Sequence, residues 1–110
     1  MDELLDKIRH FLKSAELVYE AKDYTSSTIL LFKALFAVLD LVILQKTGKS
    51  PKDHTERFRI LEKDFPGLYR ILDKYYVIYR DTYTLTINKS TCDEIKKNVK
   101  RIIEEHKIQI

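Results

Sequence analysis

One run of apolar residues constrains this chain more than any other feature. Between Ile29 and Leu44, 14 of 16 residues are apolar, and the two exceptions are Lys33 and Asp40. A helix that is apolar on every side has to be covered on every side. The run is shorter and more charged than the roughly 20 apolar residues of a bilayer span. It therefore predicts the central helix of a soluble all-α bundle, with no membrane segment.

Lys33 and Asp40 interrupt this run on one side. They lie seven residues apart, so a helix places them on one face, two turns from each other. Ser26 and Thr47 extend the same stripe by one heptad in each direction. A buried charge without a partner is strongly destabilising. Three arrangements satisfy the stripe: a structural ion pair, a polar seam between subunits, or a shared site in which Asp40 orients Arg80.

The composition indicates a single folded domain over residues 1–110. Apolar residues make up 45% and charged residues 34% of the chain, which fits a folded protein and not a disordered one. Two glycines and two prolines leave little material for hairpins, so helices are favoured. The single Cys92 excludes an intrachain disulfide and a cysteine-based zinc site. Since the amino terminus is also unlike a signal peptide, we expect a cytoplasmic protein.

Hydrophobic periodicity and capping residues predict an antiparallel up-and-down helical bundle of four long helices plus one short helix. The first helix should cover residues 2–21, and Asp23 should cap the central helix, which ends near Gly48. Asp53 should open the short helix, which stops at Phe65. The remaining signals are Pro66 at the start of the fourth helix, a fraying segment over 82–87, and a capping box of Thr91 and Glu94 before the fifth helix.

Tyrosines gather near the end of the predicted fourth helix. Five of the seven tyrosines lie between residues 69 and 83, and Tyr76, Arg80 and Tyr83 share one helical face. A guanidinium among phenols can hold a phosphate bidentately while the rings offer stacking surfaces to bases. Alternatively, the tyrosines are packing residues and Arg80 is salt-bridged to an acid. The whole candidate group comprises Tyr75, Tyr76, Tyr79, Arg80, Asp81 and Tyr83.

His54 and Arg57 form a second candidate group, one helical turn apart. His54 could act as a general base, bind an acidic group, or simply hydrogen-bond within the first turn of its helix. His10 and His106 show no metal-ligand spacing, so the sequence predicts no metal ion and no cofactor. Residues 48–110 carry 14 basic and 10 acidic side chains, which permits an acidic partner without requiring one.

Several short segments, in their order and spacing, resemble the HEPN domain, a family of small helical bundles from prokaryotic genomes. The resemblance spans roughly residues 11–106, nearly the whole chain. The segments that carry it are Ser14-Ala15-Glu16-Leu17, Lys22-Asp23-Tyr24, the positions Phe32, Ala34 and Phe36, Pro51-Lys52-Asp53-His54, Phe65-Pro66 and Tyr79-Arg80-Asp81.

The resemblance implies an activity and a partner. Active members of the family are metal-independent ribonucleases that work as dimers, often encoded beside a minimal nucleotidyltransferase that acts as antitoxin. Their motif is an Arg, a polar residue, a few more positions and then a His, which assigns the first two positions to Arg80 and Asp81. The position five after Arg80 is Leu85, and no histidine occurs between His54 and His106. The motif therefore lacks the imidazole that would act as general acid or base.

The leading hypothesis is a HEPN-type homodimer that binds RNA or a nucleotide through Arg80, Asp81 and Tyr83, as partner of a nucleotidyltransferase in a toxin–antitoxin-like system. The polar stripe of the central helix would support this site, and His54 and Arg57 would line it. Two alternatives stay open. One is a degenerate ribonuclease in which His54 or Tyr83 transfers the proton, and the other is a subunit that only binds a partner protein.

Overall fold

The computed structural model describes residues 2–110, and all regular structure within that range is helical. This confirms the predicted all-α class, and the helices pack together around a shared core. Within the described range five helices follow one another: α1 (Asp2–Glu20), α2 (Tyr24–Thr47), α3 (His54–Asp64), α4 (Pro66–Asp81) and α5 (Lys89–Glu105).

Hydrogen bonds close the turn between α1 and α2 from both sides. The amide of Asp23 donates to the carbonyl of Val18 and the amide of Lys22 donates to that of Tyr19, both at 2.9 Å, which is the pattern of a Schellman cap. Lys22 therefore has left-handed backbone, with a φ of 65°, where glycine is the usual residue. The Asp23 carboxylate accepts from the amide of Ser26 at 3.0 Å and starts α2, as predicted.

Local chemistry also sets the next three boundaries. α2 ends at Gly48, whose φ is 81° and whose amide donates back into the last turn at 2.8 Å. α3 begins where the Asp53 carboxylate accepts from the amide of Glu56 at 2.9 Å. Phe65 alone separates α3 from α4, because Pro66 cannot continue a helix but fits the first position of a new one. All three boundaries confirm the sequence prediction.

α5 begins earlier than predicted. Its N-cap is Asn88, whose side-chain oxygen accepts from the amide of Thr91 at 2.9 Å, so the helix starts at Lys89. The predicted capping box at Thr91 was wrong, because Asn caps helices at least as well as Thr and here comes first in the chain. The described segment between α4 and α5 contains no strand. It is fixed by the amide of buried Ile87, which donates to the hydroxyl of Thr25 at 2.8 Å.

α2 lies at the centre of the protein. It packs against the other four described helices, and every residue from Leu31 to Ile43 is buried except Lys33 and Asp40. α2 is 24 residues long, because it extends beyond the apolar run of residues 29–44 at both ends. By length and composition alone it could cross a membrane, so the sequence argument that the run is too short for a bilayer span does not hold for the whole helix. However, 72% of its most apolar window of 18 residues is buried inside the protein, as a core helix requires.

Candidate functional site

An ion pair joins α2 to α3 beneath the surface. Nε of Arg57 donates to Oδ1 of Asp40 at 2.7 Å, and Nη2 donates to Oδ2 at 3.0 Å, so the pair is bidentate. The two side chains are only 9% and 14% exposed. The guanidinium also lies over the ring of Phe36, with Cζ 4.9 Å from the ring centroid. This geometry uses the planar fork of arginine in a place with little access for water.

Asp40 therefore finds its partner within the chain, and that partner is not Arg80. Arg80 is exposed, and among the described residues its side chain makes no hydrogen bond or ion pair. The predicted pairing was wrong because α4 presents Tyr76 and Tyr79 to Phe36 on α2, which leaves Arg80 at the surface. Of the three arrangements open to the polar stripe, Asp40 adopts the structural ion pair.

His54 stands at the outer edge of this ion pair. Its Nδ1 lies 2.5 Å from Nη1 of Arg57. Because a guanidinium can only donate, Nδ1 accepts, and the neutral ring carries its proton on Nε2. Burial of part of the ring lowers the pKa of His54 below its usual value, and the charges of Arg57 and Lys33 lower it further against the opposing effect of Asp40. The imidazole is thus neutral near neutral pH.

A row of aromatic rings runs from the exposed His54, over the buried Phe36 and Tyr79, to the exposed Tyr83. The centroid of its ring lies 4.8 Å from that of Phe36 and 5.8 Å from that of Tyr76. Tyr79 lies 5.1 Å from Phe36 and 5.6 Å from Tyr76, and Tyr83 follows at 5.7 Å from Tyr79. The rings meet tilted or edge to face, which is the favoured arrangement. We call the following group the aromatic site: Phe36, Asp40, His54, Arg57, Tyr76, Tyr79 and Tyr83.

The outermost ring of the aromatic site is also its most exposed. Tyr83 is 74% exposed, whereas Tyr79 is 8% exposed. The hydroxyls of Tyr83 and Tyr79 lie 3.4 Å apart and share a hydrogen bond. This hydrogen bond, together with burial, raises the pKa of Tyr79 to about 12. Tyr79 therefore stays protonated at neutral pH, and its role is to support the Tyr83 ring.

Lys33 and Asp81 lie outside the aromatic site. Lys33 is exposed and makes no ion pair with Asp40. The expectation that the elements around α2 cover it on every side, Lys33 included, was therefore wrong. A long lysine side chain keeps its charge in water when no partner is buried with it. It is nevertheless near enough to affect the pKa of His54. Asp81 acts through its main-chain carbonyl, which accepts from the amides of Thr84 and Leu85 at 3.1 and 2.7 Å.

Sequence reasoning did not assign the phenylalanines of this region to the site. Phe36 contacts most of the aromatic site. In the sequence it was one of the positions that carry the resemblance, and it lies four residues before Asp40, on the same face of α2. Phe58 lies 4.9 Å from Tyr76 and supports that ring from α3. An apolar residue within an apolar run carries no more specific signal than this.

The accessible groups of the aromatic site are donors and ring faces. Nδ1 of His54 is occupied by Arg57, Asp40 is held by two hydrogen bonds, and Tyr79 keeps its proton. What remains accessible is the Nε2–H of His54 and the ring of Tyr83, with the ammonium of Lys33 nearby. These groups suit a ligand that combines acceptor oxygens with a flat aromatic face.

Within residues 2–110, no group of three or more His, Cys, Asp or Glu side chains could hold a metal ion. Comparisons of this chain with protein-family models, with curated proteins and with solved structures found no match.

Proposed function

We propose that this protein is a HEPN-type RNA- or nucleotide-binding protein and that the aromatic site receives the nucleotide. The observation that carries the proposal is Tyr83, a ring that is 74% exposed and continues a packed row of aromatic side chains. An exposed ring on a rigid aromatic base is a stacking surface for a nucleobase. Because every base has a π face, such binding tolerates many sequences.

The charges around this ring favour a phosphate. Lys33 and Arg80 are both exposed, and Arg80 directly follows Tyr79 in α4. His54 adds an N–H donor through Nε2. The carboxylate of Asp40, which would repel a phosphate, is neutralised by Arg57. A base stacked on Tyr83 would therefore have its phosphate within a region of mainly cationic and donor groups.

Binding is favoured over cleavage by the state of His54. A ribonuclease of this type needs a group that can take a proton from the 2′-hydroxyl. The neutral His54 ring has its one lone pair directed at Arg57, and Tyr79 has a pKa of about 12. In the form in which His54 transfers the proton, the degenerate-ribonuclease alternative thus requires that Arg57 release His54 first.

The proposal has further parts. The homodimer and the minimal nucleotidyltransferase as partner rest on the resemblance, the antiparallel up-and-down bundle rests on hydrophobic periodicity and helix caps, and the cytoplasmic location without a membrane rests on the single cysteine and the amino-terminal sequence. The polar stripe of α2 no longer argues for a subunit seam, because Asp40 is paired within the chain. Sedimentation of a strict monomer at micromolar concentration would contradict the dimer.

Fluorescence anisotropy of a labelled single-stranded RNA tests the binding site. We expect saturable binding that weakens with added salt. Tyr83→Ala should weaken it by about 1 to 3 kcal/mol, roughly 5- to 150-fold, while Tyr83→Phe should bind like the parent protein. Leu85→Ala is the matched control, since it shortens an exposed side chain in the same segment without removing a ring.

The same samples separate the rival functions. Equal affinity of Tyr83→Ala and the parent protein would reject the aromatic site as the place of binding. RNA cleavage that disappears in His54→Ala or in Tyr83→Ala and persists in Leu85→Ala would select the ribonuclease. Co-purification with a nucleotidyltransferase, without affinity for RNA alone, would select the protein-interaction subunit.

A further inference from the structure

A concave feature of the protein lies apart from the aromatic site and shares no residue with it. It is a cavity of about 640 Å³, partly open to solvent, between α1, α2, α5 and the C-terminal residues. This volume is typical of small-molecule sites in proteins. Three lysines belong to its lining, so we call it the lysine-rimmed cavity. Its walls are mainly apolar side chains of the three helices and the C-terminal segment, among them Leu12, Ala15, Leu31, Val99, Ile103 and Ile108.

The interior of the lysine-rimmed cavity offers no polar partner to a ligand. Ser27, the buried polar residue of the lining, is 1% exposed, and its hydroxyl already donates to the carbonyl of Ala15 at 2.9 Å. Among the described residues, no buried side-chain nitrogen or oxygen lacks a hydrogen-bond partner. A polar group entering here would lose its water without replacement, so the interior accepts an apolar group.

The lysines of the rim differ in whether they already have an ion-pair partner. Lys96 is held by Glu16 at 2.7 Å and stands 4.1 Å from the centroid of the Tyr19 ring. Lys100 and Lys107 are exposed, and no described carboxylate lies within ion-pair distance of either. The described lining contains three lysines and two glutamates, so its rim is net positive.

The C-terminal residues form the last wall of the cavity. Lys107 has left-handed backbone with a φ of 52°, and the amide of Ile108 donates to the carbonyl of Ile103 at 3.1 Å, which turns the chain back over α5. Arg9 donates to the carbonyl of Gln109 at 3.1 Å and ties this segment to α1. The cavity is thus closed on this side by hydrogen bonds to two different helices.

We infer that the lysine-rimmed cavity binds a single-chain anionic amphiphile, such as a medium-chain fatty acid. Its hydrocarbon tail lies between α1, α2 and α5, where the walls are apolar and every buried polar group is already paired. Its carboxylate lies at Lys100 and Lys107, the rim cations that have no partner of their own among the described residues. The inference does not depend on the proposed nucleotide site, because the two use different residues.

Isothermal titration calorimetry with octanoate, decanoate and dodecanoate, each below its micelle concentration, measures the binding. We expect one ligand per chain, with an affinity that rises about fourfold per added methylene. Decyltrimethylammonium should bind about tenfold or more weakly than decanoate, since its charge has the sign of the rim. Equal affinities across the chain-length series, or for the two head groups, would overturn the inference.

Reversing the charge of rim lysines tests where the carboxylate of the ligand binds. Lys100→Glu with Lys107→Glu should remove the preference for decanoate over decyltrimethylammonium. The matched control is Lys97→Glu with Lys63→Glu, which reverses two exposed lysines outside the cavity and should keep the preference. Equal behaviour of the two double variants would assign the preference to overall charge and reject the rim.

Methyl-detected NMR of the parent protein gives a readout that needs no variant. Addition of decanoate should shift the signals of Leu31, Val99 and Ile103, which line the cavity. Leu61, buried in α3 and absent from the lining, should stay in place. Unchanged signals of the three lining residues, or an equal shift at Leu61, would overturn the inference.

Discussion

Arg57 of α3 holds Asp40 of α2 through two hydrogen bonds of 2.7 and 3.0 Å, and with its remaining terminal nitrogen it reaches Nδ1 of His54. One buried guanidinium thus fixes the contact between two helices and the tautomer of an imidazole at the surface. Breaking such a pair by removing one partner is far more destabilising than replacing both partners together, because the surviving charge stays buried.

Asp40→Ala should therefore lower the free energy of unfolding by about 3 to 5 kcal/mol, since Arg57 is left without its counter-charge. Urea denaturation followed by circular dichroism measures the loss. Lys33→Ala is the matched control on the same helix: Lys33 is exposed, and its removal should change the stability by less than about 0.5 kcal/mol. Similar losses in the two variants would contradict the role assigned to the ion pair.

The double variant Asp40→Leu with Arg57→Met completes this experiment. It replaces both charges by apolar side chains and should recover most of the stability lost in Asp40→Ala. A double variant as unstable as the single one would show that packing around the pair, and not the stranded charge, dominates the loss.

His54 should make stability depend on pH in a defined direction. Burial and neighbouring cations lower the pKa of His54 in the folded protein, so the unfolded chain binds the proton more readily. The stabilising contribution is fully present above the unfolded pKa, about 6.5, and is lost as the pH falls through the lower folded value. Thermal unfolding midpoints measured from about pH 8 down to about pH 5 should therefore decrease across this window.

Two histidine variants assign this pH dependence. His54→Gln removes the titrating group and should flatten that part of the profile. His10→Gln removes an exposed histidine of α1 and should leave the slope as it is. An unchanged slope in His54→Gln would place the responsible titration at another residue.

Lys22→Gly should stabilise the protein, although it shortens a side chain. Left-handed backbone costs a non-glycine residue about 1 to 2 kcal/mol, while glycine loses about 0.5 to 1 kcal/mol more chain entropy on folding, so a net gain of up to about 1.5 kcal/mol is expected. Lys22→Ala controls for loss of the side chain and should leave stability nearly unchanged.

Gly48→Ala tests the same effect in the opposite direction. Gly48 has a φ of 81°, and a Cβ added there would meet nothing within 4 Å, so any loss reflects backbone conformation alone. We expect a loss of about 1 kcal/mol by chemical denaturation. A stabilised Gly48→Ala together with a destabilised Lys22→Gly would contradict the left-handed geometry at both turns.

Cys92 should report the opening of the core. It is 0% exposed within α5, so a thiol reagent reaches it only when the protein opens. Its modification rate should be slow in the parent protein and should rise in Asp40→Ala about tenfold for each 1.4 kcal/mol of lost stability. Rapid modification of the parent protein under native conditions would show that α5 opens independently of the rest.

The helix boundaries were predictable because each is set by chemistry within a few residues. Asp23 and Asp53 cap helices through amides three residues on, Gly48 supplies left-handed backbone, and Pro66 starts a new helix. The start of α5 was misplaced for the same local reason, since Asn88 was not considered as a cap. Local sequence signals therefore predict where the helices begin and end, but they do not predict which helices contact each other.

The partner of Asp40 could not be predicted in this way. Periodicity says which residues share a face of one helix, but not which face of a neighbouring helix it meets. Arg57 and Arg80 were both available, and only the packing of Tyr76 and Tyr79 against α2 decides between them. The aromatic spacing of α4 was visible in the sequence, whereas the ion pair beneath it depended on the tertiary structure.

The short turn at Lys22 has a consequence for how the chain reaches its fold. The two longest helices, α1 and α2, are neighbours in sequence and pack directly against each other, so they can associate as a hairpin without closing a long loop. α2, the most apolar segment of the chain, can then be covered first by the residues synthesised just before it. Association in that order would shorten the time in which α2 is exposed to other nascent chains, and it would lower the tendency of the chain to aggregate.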